Sequence, residues 1–393
     1  MKKGWEYKKL GEVGTFSRGI NFAKSDFVKD GFPCIHYGQI HTTFGPVTYK
    51  HLSCIPQEIV KKDKLASKGN LVIAITSEDV EGSCKCTAWM GDYDIAVGAH
   101  AAIFKHQLNP IFVSYFFSSP LFQKAKEPYV HGFKVMEIKP SDIAKISIPV
   151  PPLSEQQSIV NYLDSAFAKI DALKANAEKA LGEAKALFQA SLKEMLEPKE
   201  GWEEKKLQEV ACDFSRGKSK HRPRNDKKLF GGNYPFIQTG EIRNANVYVT
   251  SHSSTYNEIG LSQSKLWPKD TVCITIAANI AEVAILKYPS CFPDSVIGFV
   301  ADINKVDKMF VFYSLIHYQQ ELKKQGKGSA QDNINLGTFE KNRFPFPSLQ
   351  EQHSIVATLD SLKSKVDRLQ ENYEKISKEC DALKQAMLRE IFE

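Results

Sequence analysis

The sequence contains the stretch Leu-Ser-Glu-Gln-Gln-Ser-Ile-Val-Asn-Tyr-Leu-Asp-Ser at residues 153–165. A second copy, Leu-Gln-Glu-Gln-His-Ser-Ile-Val-Ala-Thr-Leu-Asp-Ser, follows at residues 349–361, an offset of 196 residues. Prolines precede both copies, at Pro151, Pro152 and Pro347. Because a proline inside a helix removes a hydrogen bond and clashes with the preceding turn, each copy is predicted to begin a helix. We expect the first helix to end near Glu197 and the second to continue to Glu393.

Apolar residues recur in both helices at alternating steps of four and three, a period of 3.5 residues that is typical of a coiled-coil seam. The first stripe holds alanine at several positions where the second holds larger side chains. The two stripes therefore fill one seam together better than either would fill it with its own copy. This pattern predicts an antiparallel pair within one chain. The stripes comprise Ile159, Leu163, Ala166, Ile170, Leu173, Ala177, Ala180, Ala184 and Leu187, and Ile355, Leu359, Leu362, Val366, Leu369, Tyr373, Ile376, Cys380 and Leu383.

Length and charge predict several domains, two of which are basic. The chain has 393 residues, with 42% apolar and 25% charged, as is ordinary for globular proteins. Residues 1–153 have 19 Lys/Arg against 14 Asp/Glu, and residues 198–348 have 21 against 16. Each of these two segments therefore has a net charge of +5, whereas the whole chain has a net charge of +6. The helices, with 5 against 7 and 7 against 9, each carry −2. The basic segments are either ordinary solvated domains or surfaces that face a polyanion.

The composition favours a cytoplasmic location. No signal peptide is recognisable behind Met-Lys-Lys-Gly-Trp, and no window approaches the roughly 18 apolar residues of a membrane span. The eight cysteines have no disulfide spacing, so we expect reduced thiols. No membrane contact is expected.

The segments between the helices are also copies of each other. Gly4-Trp5 returns as Gly201-Trp202, Phe-Ser-Arg-Gly recurs at 16–19 and 214–217, and Pro-x-Ile-x-x-Gly-x-Ile recurs at 33–40 and 235–242. We therefore predict an α+β protein with an internal two-fold repeat, in which mixed, mainly β globules alternate with the two long helices. The predicted order is globule (1–152), helix (153–197), globule (198–347) and helix (348–393).

Short β-branched runs predict the strands of each globule. Residues 71–76 and 271–276 are predicted to be buried strands, and residues 147–148 and 343–344 to be short strands that close each globule. Residues 111–124 and 309–323 are predicted to be helices with apolar residues on more than one face.

Two fragments imitate catalytic sites without completing one. Asn109-Pro110-Ile111-Phe112 differs by one residue from a loop of amino-methyltransferases, but no glycine-rich nucleotide loop accompanies it, so a proline in the first turn of a helix is the better interpretation. Asp294 with Glu321 and Lys323 imitates a nuclease site, but the pattern is missing from the first copy. The chain also lacks a P-loop and a nucleophile elbow. We expect no catalytic residues and no cofactor.

A zinc site is a further alternative. The thiols and the imidazole do not have the usual CxxC spacing, and the second copy lacks these cysteines, so structural thiols are the preferred interpretation and no metal is expected. The residues concerned are Cys34, His36, Cys84 and Cys86.

Basic loops in both copies are candidates for phosphate contacts. Arginine can donate to two phosphate oxygens, and the glycine that follows it would let a backbone approach closely. A solvated loop is the alternative. The candidates are Ser17, Arg18 and Lys24 in the first copy and Arg216, Lys218, Lys220, Arg222 and Arg224 in the second.

A second set of candidates follows the repeated Pro-x-Ile-x-x-Gly-x-Ile pattern. The pattern is kept while the polar residues within and behind it differ, as expected if the copies read different DNA sequences; ordinary surface variation gives the same result. Arg, Asn, Gln and Glu are the side chains that read base edges. The candidates are Tyr37, Gln39 and His41, and Thr239, Glu241, Arg243 and Asn244.

The order of these parts resembles the specificity (S) subunit of type I restriction–modification systems. The resemblance rests on Gly-Trp at the start of each half, and on Ile148-Pro149-x-Pro151-x-Leu153-x-Glu155-Gln156 and its copy at 344–352, which lead from globule to helix. It implies that each globule is a target recognition domain for one half of a split sequence in double-stranded DNA. It also implies that the helices form a spacer and bind two methyltransferase subunits, that endonuclease subunits can join, and that the chain has no active site. The family has no fixed set of base-reading residues.

Two other functions remain open at this point. One is a stand-alone bipartite DNA-binding protein with a structural or regulatory role, which would copurify without a methyltransferase. The other is a nuclease built on Asp294 and Glu321, which would require metal-dependent cleavage by the isolated chain.

Overall fold

A computed structural model describes residues 4–277, 280–327 and 334–393. The chain divides into two compact units, one of residues 1–178 with 373–393 and one of residues 179–372. Both long helices are present, and each contributes one part to each unit. No helix of the described residues is long and apolar enough to cross a membrane.

Between residues 4 and 152 the structure has fourteen strands and five short α-helices, followed by the first long helix. The strands are β1 (Glu6–Lys9), β2 (Gly14–Arg18), β3 (Phe32–Ile35), β4 (Val47–Thr48), β5 (Ser53–Ile55), β6 (Leu65–Ala66), β7 (Leu71–Ala74), β8 (Thr76–Ser77), β9 (Cys86–Trp89), β10 (Ile95–Val97), β11 (Ala101–His106), β12 (His131–Gly132), β13 (Met136–Glu137) and β14 (Ser147–Val150). The helices are α1 (Leu10–Val13), α2 (Tyr37–Thr42), α3 (Pro110–Ser118), α4 (Pro120–Lys126), α5 (Pro140–Ile143) and α6 (Leu153–Leu196).

The second unit repeats much of this order. Its strands are β15 (Glu203–Lys205), β16 (Ala211–Arg216), β17 (Phe230–Phe236), β18 (Tyr248–Val249), β19 (Ser254–Tyr256), β20 (Val272–Thr275), β21 (Val283–Leu286), β22 (Val296–Ala301) and β23 (Phe344–Phe346). Its helices are α7 (Thr239–Asn244), α8 (Glu258–Ser262), α9 (Lys308–His317), α10 (Gln319–Lys327), α11 (Leu336–Lys341) and α12 (Leu349–Phe392).

A five-stranded sheet with the same topology lies in each unit. The order is β2-β11-β7-β9-β4 in the first and β16-β22-β20-β21-β18 in the second, with only the last pair parallel in each. The central strands β7 and β20 are buried on both faces, which confirms the predicted buried strands. This repetition, together with the two long helices, confirms the predicted α+β fold with an internal repeat.

The first strand of each globule pairs with its last. β1 pairs antiparallel with β14, and β15 pairs antiparallel with β23. The predicted closing strands are therefore present, and each brings the entrance and the exit of its globule together. Sequence periodicity alone gave no sign of this pairing.

The helices predicted at residues 111–124 and 309–323 are each broken into two. In the first copy Pro120 lacks the N–H that a continuous helix needs, and Ser119 Oγ accepts a hydrogen bond from Phe122 N at 3.3 Å to begin α4. In the second copy the break falls at Tyr318, between α9 and α10. No proline marks this second break. The apolar faces are as predicted, because residues 112–117 and 309–315 are all buried.

The two long helices pair antiparallel, as predicted. In the first unit Lys384 binds Asp171 at 2.5 Å and Lys174 binds Asp381 at 3.3 Å, so the residue number falls along one helix as it rises along the other. The Cys380 thiol donates to the Ile170 carbonyl within the same seam, at 3.8 Å. In the second unit the Lys185 ammonium donates to Gln370 Oε1 at 2.7 Å.

The seam differs from its prediction in phase at four positions. Leu173, Ala180, Leu187 and Leu383 are exposed. Their neighbours Lys174, Leu181, Phe188 and Lys384 turn inward instead. A period of 3.5 residues allows steps of three then four as readily as four then three, and here the larger Leu181 and Phe188 decide the order. The two lysines cover apolar surface with their stems while their ammonium groups reach carboxylates at the rim.

Residues from the end of the second long helix complete the core of the first unit. Leu388 and Phe392 are buried in one cluster with Leu10 and the side chains of α3. The Phe392 ring lies 5.2 Å from that of Phe112 and 5.6 Å from that of Phe116.

Candidate nucleic-acid interface

The sequence motifs that open and close each globule meet in the structure. Trp5 Nε1 donates to Glu155 Oε1 at 2.9 Å, and Trp202 Nε1 donates to Glu351 Oε1 at 3.2 Å. The pairing of the first and last strands brings these residues together across roughly 150 positions of sequence. The Gly-Trp and Glu-Gln motifs therefore recur together because they form one contact.

A buried glutamine beside this contact ties each long helix to its globule. Gln352 Oε1 accepts a hydrogen bond from Asp307 N at 2.9 Å, and its Nε2 donates to the Pro347 carbonyl at 2.9 Å. Gln156 makes the equivalent bonds to Asn109 N and to the Pro151 carbonyl. Both glutamines are 1% exposed, so these hydrogen bonds are made by side chains that water does not reach.

A tyrosine adds a further repeated bond. Tyr115 donates to Asp164 Oδ1, and Tyr313 donates to Asp360 Oδ1 at 2.6 Å. Burial, followed by the neighbouring carboxylate, raises the pKa of both phenols well above the ordinary value. We refer to these residues as the first junction (Trp5, Glu155, Gln156, Tyr115 and Asp164) and the second junction (Trp202, Glu351, Gln352, Tyr313 and Asp360).

Removing the polar end of Gln352 should destabilise the second unit. Gln352→Leu leaves the part-buried Asp307 N and the buried Pro347 carbonyl without these partners, which costs about 2–4 kcal/mol in the free energy of unfolding. Urea denaturation followed by tryptophan fluorescence measures the loss. Gln350→Leu is the matched control, because Gln350 is exposed two residues earlier on the same helix. Equal losses for the two variants would show that the buried bonds contribute nothing.

The arginine of each Phe-Ser-Arg-Gly motif binds a backbone carbonyl of its own globule. Arg18 Nε donates to the Ala99 carbonyl at 2.7 Å, and its guanidinium also pairs with Glu137 at 2.9 Å. Arg216 Nε donates to the Asp294 carbonyl at 2.8 Å. Both side chains thus fix the segment before β11 or β22, a role that the sequence did not indicate.

The glycine of this motif is required for packing, which corrects the interpretation that it lets a phosphate approach. Gly19 and Gly217 are buried. A Cβ on Gly19 would lie 2.2 Å from the Val97 carbonyl oxygen, and one on Gly217 would lie 2.4 Å from that of Phe292. No side chain fits at such distances, so the close approach is to the protein's own backbone.

The basic loop of the second copy has two kinds of cation. Arg224 pairs with the Asp294 carboxylate at 2.7 Å, and Arg222 lies 3.7 Å from it. The ammonium groups of Lys218 and Lys220 are exposed, and among the described residues neither forms an ion pair. Of the first-copy candidates, Lys24 is also exposed, whereas Ser17 is half-buried. The lysines are thus the cations of this loop most available to a ligand.

Two of the predicted base readers cap short helices. Gln39 Oε1 accepts from His36 N at 2.9 Å and its Nε2 donates to Ser53 Oγ at 2.8 Å. Glu241 accepts from Gln238 N at 3.1 Å and from Ser253 Oγ at 2.5 Å. The two residues are equivalent in the repeat and fix the start of α2 and α7 in the same way. Their hydrogen-bonding groups already have partners within the protein.

The other candidates lie on or beside these two helices. His41 Nε2 donates to the Thr76 carbonyl at 3.0 Å, and the Tyr37 ring lies 5.1 Å from that of His100. Burial, together with Lys24 and His100, lowers the pKa of the neighbouring His36. On α7, Thr239 is half-buried and Arg243 and Asn244 are exposed at its last turn. The structure therefore gathers Arg18, Tyr37 and His41 around one end of the first globule.

A hydrogen-bonded histidine–tyrosine pair recurs in both globules and was not predicted from the sequence. His51 Nδ1 bonds Tyr93 Oη at 2.6 Å, and His252 Nδ1 bonds Tyr288 Oη at 2.9 Å. Each histidine stands close in sequence to the serine that contacts Gln39 or Glu241. The spacing within the pair differs between the copies, which concealed the repeat.

The chain matches the family profile described as "Type I restriction modification DNA specificity domain" twice, over residues 2–181 and 199–378. These two matches cover most of the chain and coincide with its internal repeat. The chain belongs to this family. It is a type I restriction–modification specificity subunit with two target recognition domains.

Two relatives are similar to this specificity subunit along most of its length. It is 21% identical to the StySPI specificity subunit of Salmonella potsdam over 100% of this chain and 89% of the relative. It is 24% identical to the putative MjaX specificity subunit of Methanocaldococcus jannaschii, over 96% and 91%.

Solved structures show the same fold. The HsdS subunit from Thermoanaerobacter tengcongensis matches with a TM-score of 0.61 and 18% identity, over 99% of this chain and 96% of the other. A chain from a study of complex assembly and conformational transition of the type I R-M system matches with a TM-score of 0.77 and 19% identity, over 99% and 97%. The family match and the named relatives favour the specificity-subunit interpretation over a stand-alone DNA-binding protein.

The fragments that imitate catalytic sites have structural roles in the specificity subunit. Asn109 caps α3 and Pro110 stands in its first turn, as predicted. Asp294 pairs with Arg224, and Lys323 pairs with Glu282 at 2.9 Å. Burial raises the pKa of the Cys34, Cys84 and Cys86 thiols to about 12. Within residues 4–277, 280–327 and 334–393, no three His, Cys, Asp or Glu side chains come together as a metal site.

Proposed function

We propose that each target recognition domain of this specificity subunit recognises one half of a bipartite sequence in double-stranded DNA. The domains are proposed to span residues 1–152 and 198–347, with spacer helices at 153–197 and 348–393. The helices set the gap between the half-sites and bind two methyltransferase subunits, and endonuclease subunits can join the complex. The chain itself performs no catalysis, needs no cofactor and acts in the cytoplasm.

The observation that supports this proposal is that the two domains share one fold but differ in the side chains of their capped helices. The five-stranded sheet, the junction and the capped helix recur in both units. The last turns of the capped helices differ, with His41 in one and Arg243 and Asn244 in the other. Two domains of one fold with different surface chemistry are suited to two different half-sites. The net charge of +5 on each globule segment supports a polyanionic ligand.

Sequencing of methylated bases in the native genome tests the proposal. The expected result is one methylated motif made of two defined half-sites separated by a gap of fixed length. Deleting the gene for this chain should abolish that methylation. Restoring the gene should return the same motif. A motif that persists after deletion would show that another protein provides the specificity.

Exposed lysines of the basic loop are expected to contact phosphates. Lys218→Ala or Lys220→Ala should weaken binding to all duplexes alike and reduce the slope of log K against log salt by about one unit. Binding titrations at several salt concentrations measure this slope. Lys365→Ala on the second long helix is the matched control, because that lysine is also exposed. A loss of sequence preference at unchanged slope would make the lysine a base reader.

The remaining candidates keep their predicted roles within this proposal. Asn244→Ala should relax one base position and leave the salt slope unchanged, because an uncharged amide displaces no counterion. Substitution of Gln39 or Glu241 by alanine is likewise expected to relax one base position and leave the salt slope unchanged. Their capping bonds require that the stability of each variant be measured beside its specificity.

A further inference from the structure

A β-hairpin of the first target recognition domain carries an aromatic ring into solvent. β12 and β13 pair His131 with Glu137 and Gly132 with Met136, and the chain turns through residues 133–135. Phe133 is 92% exposed, the highest value among the large apolar side chains of the described residues. Val135 beside it is 58% exposed. We call residues 131–137 the aromatic hairpin.

The aromatic hairpin has a defined conformation and is anchored on both sides. Gly132 has φ +146°, and a Cβ there would lie 2.0 Å from the Val135 carbonyl oxygen, so this turn needs glycine. β13 also pairs with β8, through Met136 with Ser77 and Glu137 with Thr76. Ile138, which follows the hairpin, is fully buried. The exposed ring is therefore presented by ordered backbone.

The aromatic hairpin lies beside candidate DNA contacts. Its Glu137 receives the Arg18 guanidinium at 2.9 Å. Its partner residue Thr76 accepts the hydrogen bond from His41 at 3.0 Å. Arg18 and His41 were both predicted to contact DNA from sequence alone. The ring thus stands at the same end of the domain as the candidate contacts Arg18 and His41.

The chemistry of the aromatic hairpin fits a duplex better than a protein partner. Its exposed ionisable side chains are His131 and Lys134, while its one carboxylate is already paired with Arg18. Glu78 and Asp79, which follow β8, are exposed acidic neighbours in sequence. A single projecting ring can insert between two adjacent base pairs once they separate by the thickness of one ring. DNA-bending proteins insert apolar side chains between base pairs in this way.

We infer that Phe133 inserts into or stacks on a base step of the half-site recognised by the first domain. This inference rests on the proposed function and adds to it a residue and a mode of contact. An inserted ring locally unstacks the duplex, so the domain would select steps that part easily, such as pyrimidine–purine steps. Sequence preference would then arise without a hydrogen bond to a base edge.

The test uses the full-length chain with its methyltransferase subunits and a duplex that contains the genomic motif. Phe133→Ala should weaken binding about tenfold to a hundredfold, as expected for one aromatic–base stack, with an unchanged salt slope. Phe133→Trp, which keeps an aromatic ring at this position, should bind the duplex about as tightly as the wild type. Ile303→Ala is the matched control, because Ile303 is 83% exposed in the other unit. Aminopurine placed at successive steps of the half-site should brighten at one position with the wild type and not with Phe133→Ala.

Each other outcome identifies what failed. If the wild-type complex does not bind the motif duplex, the proposed function fails before Phe133 is tested. If the wild type binds and Phe133→Ala binds equally well, or no aminopurine position brightens, the stacking contact is refuted. If Phe133→Ala loses its methyltransferase subunits while the chain alone keeps its DNA affinity, the ring contacts a protein and the inference is wrong.

Discussion

Replacement of residues 201–347 by the matching segment of a relative is expected to change one half of the methylated motif and preserve the other. The reason is that each globule has its own five-stranded sheet and its own core cluster. The exchanged segment begins and ends at the paired strands β15 and β23, so it can be replaced without breaking a sheet. Sequencing of methylated bases in a strain that lacks the native gene measures both half-sites and the gap.

The second junction sets a condition on the donor of this chimera. Trp202 lies in the exchanged segment, whereas its partner Glu351 stays with the recipient, so the donor must have tryptophan at the matching position. The reciprocal exchange of residues 1–152 is the control, and it should alter the other half-site. A simultaneous change of both half-sites in either chimera would contradict the proposal that each domain recognises one half-site.

Insertion of one heptad into both long helices is expected to lengthen the unread gap by about 3 base pairs. Seven residues add roughly 10 Å at about 1.5 Å per residue, and a base pair adds about 3.4 Å. A heptad keeps the seam in register, because it equals two steps of 3.5 residues. The predicted seam from Ile159 to Leu187 is itself about 42 Å long, or about 12 base pairs.

The ion pairs of the first unit give the insertion points. Lys174 faces Asp381, so insertion directly after Ala177 and directly before Lys378 places the two new heptads opposite each other. The added length also turns the second half-site around the DNA by about a quarter turn. The expected outcome is therefore a longer gap between unchanged half-sites, or loss of methylation even though the variant chain folds. A heptad in one helix alone should disrupt the seam. Full activity with the original gap would show that the helices do not set the spacing.

The parts of the fold that repeat a local pattern were predictable from sequence. The two helices were predicted within a few residues of Leu153–Leu196 and Leu349–Phe392, because prolines mark their starts and the apolar period extends throughout. The phase of the seam was not predictable. Leu187 is about as apolar as the Phe188 that replaces it, and Leu173 is exposed although the Lys174 that replaces it is charged. Only the packed pair distinguishes the two alternations at these positions.

The candidate site was harder to predict, because its side chains act over long sequence distances. Arg18 and Arg216 were recognised as a repeated feature, but their backbone partners lie about 80 residues further along the chain. Trp5 and Glu155 were each noted in a motif, and nothing local indicates that they touch. The aromatic hairpin leaves only a weak sequence signal, a glycine followed by alternating apolar residues. Which residues read bases stays a prediction.

The burial of Phe392 against Phe112 has a consequence for synthesis of the protein. The ribosome makes Phe392 about 280 residues after Phe112, which takes roughly 15–60 s at typical elongation rates. Until then α3 and its neighbours lack side chains that later complete their core, and the nascent first domain exposes an aromatic surface. The first domain therefore completes its core only after the second long helix has been synthesised.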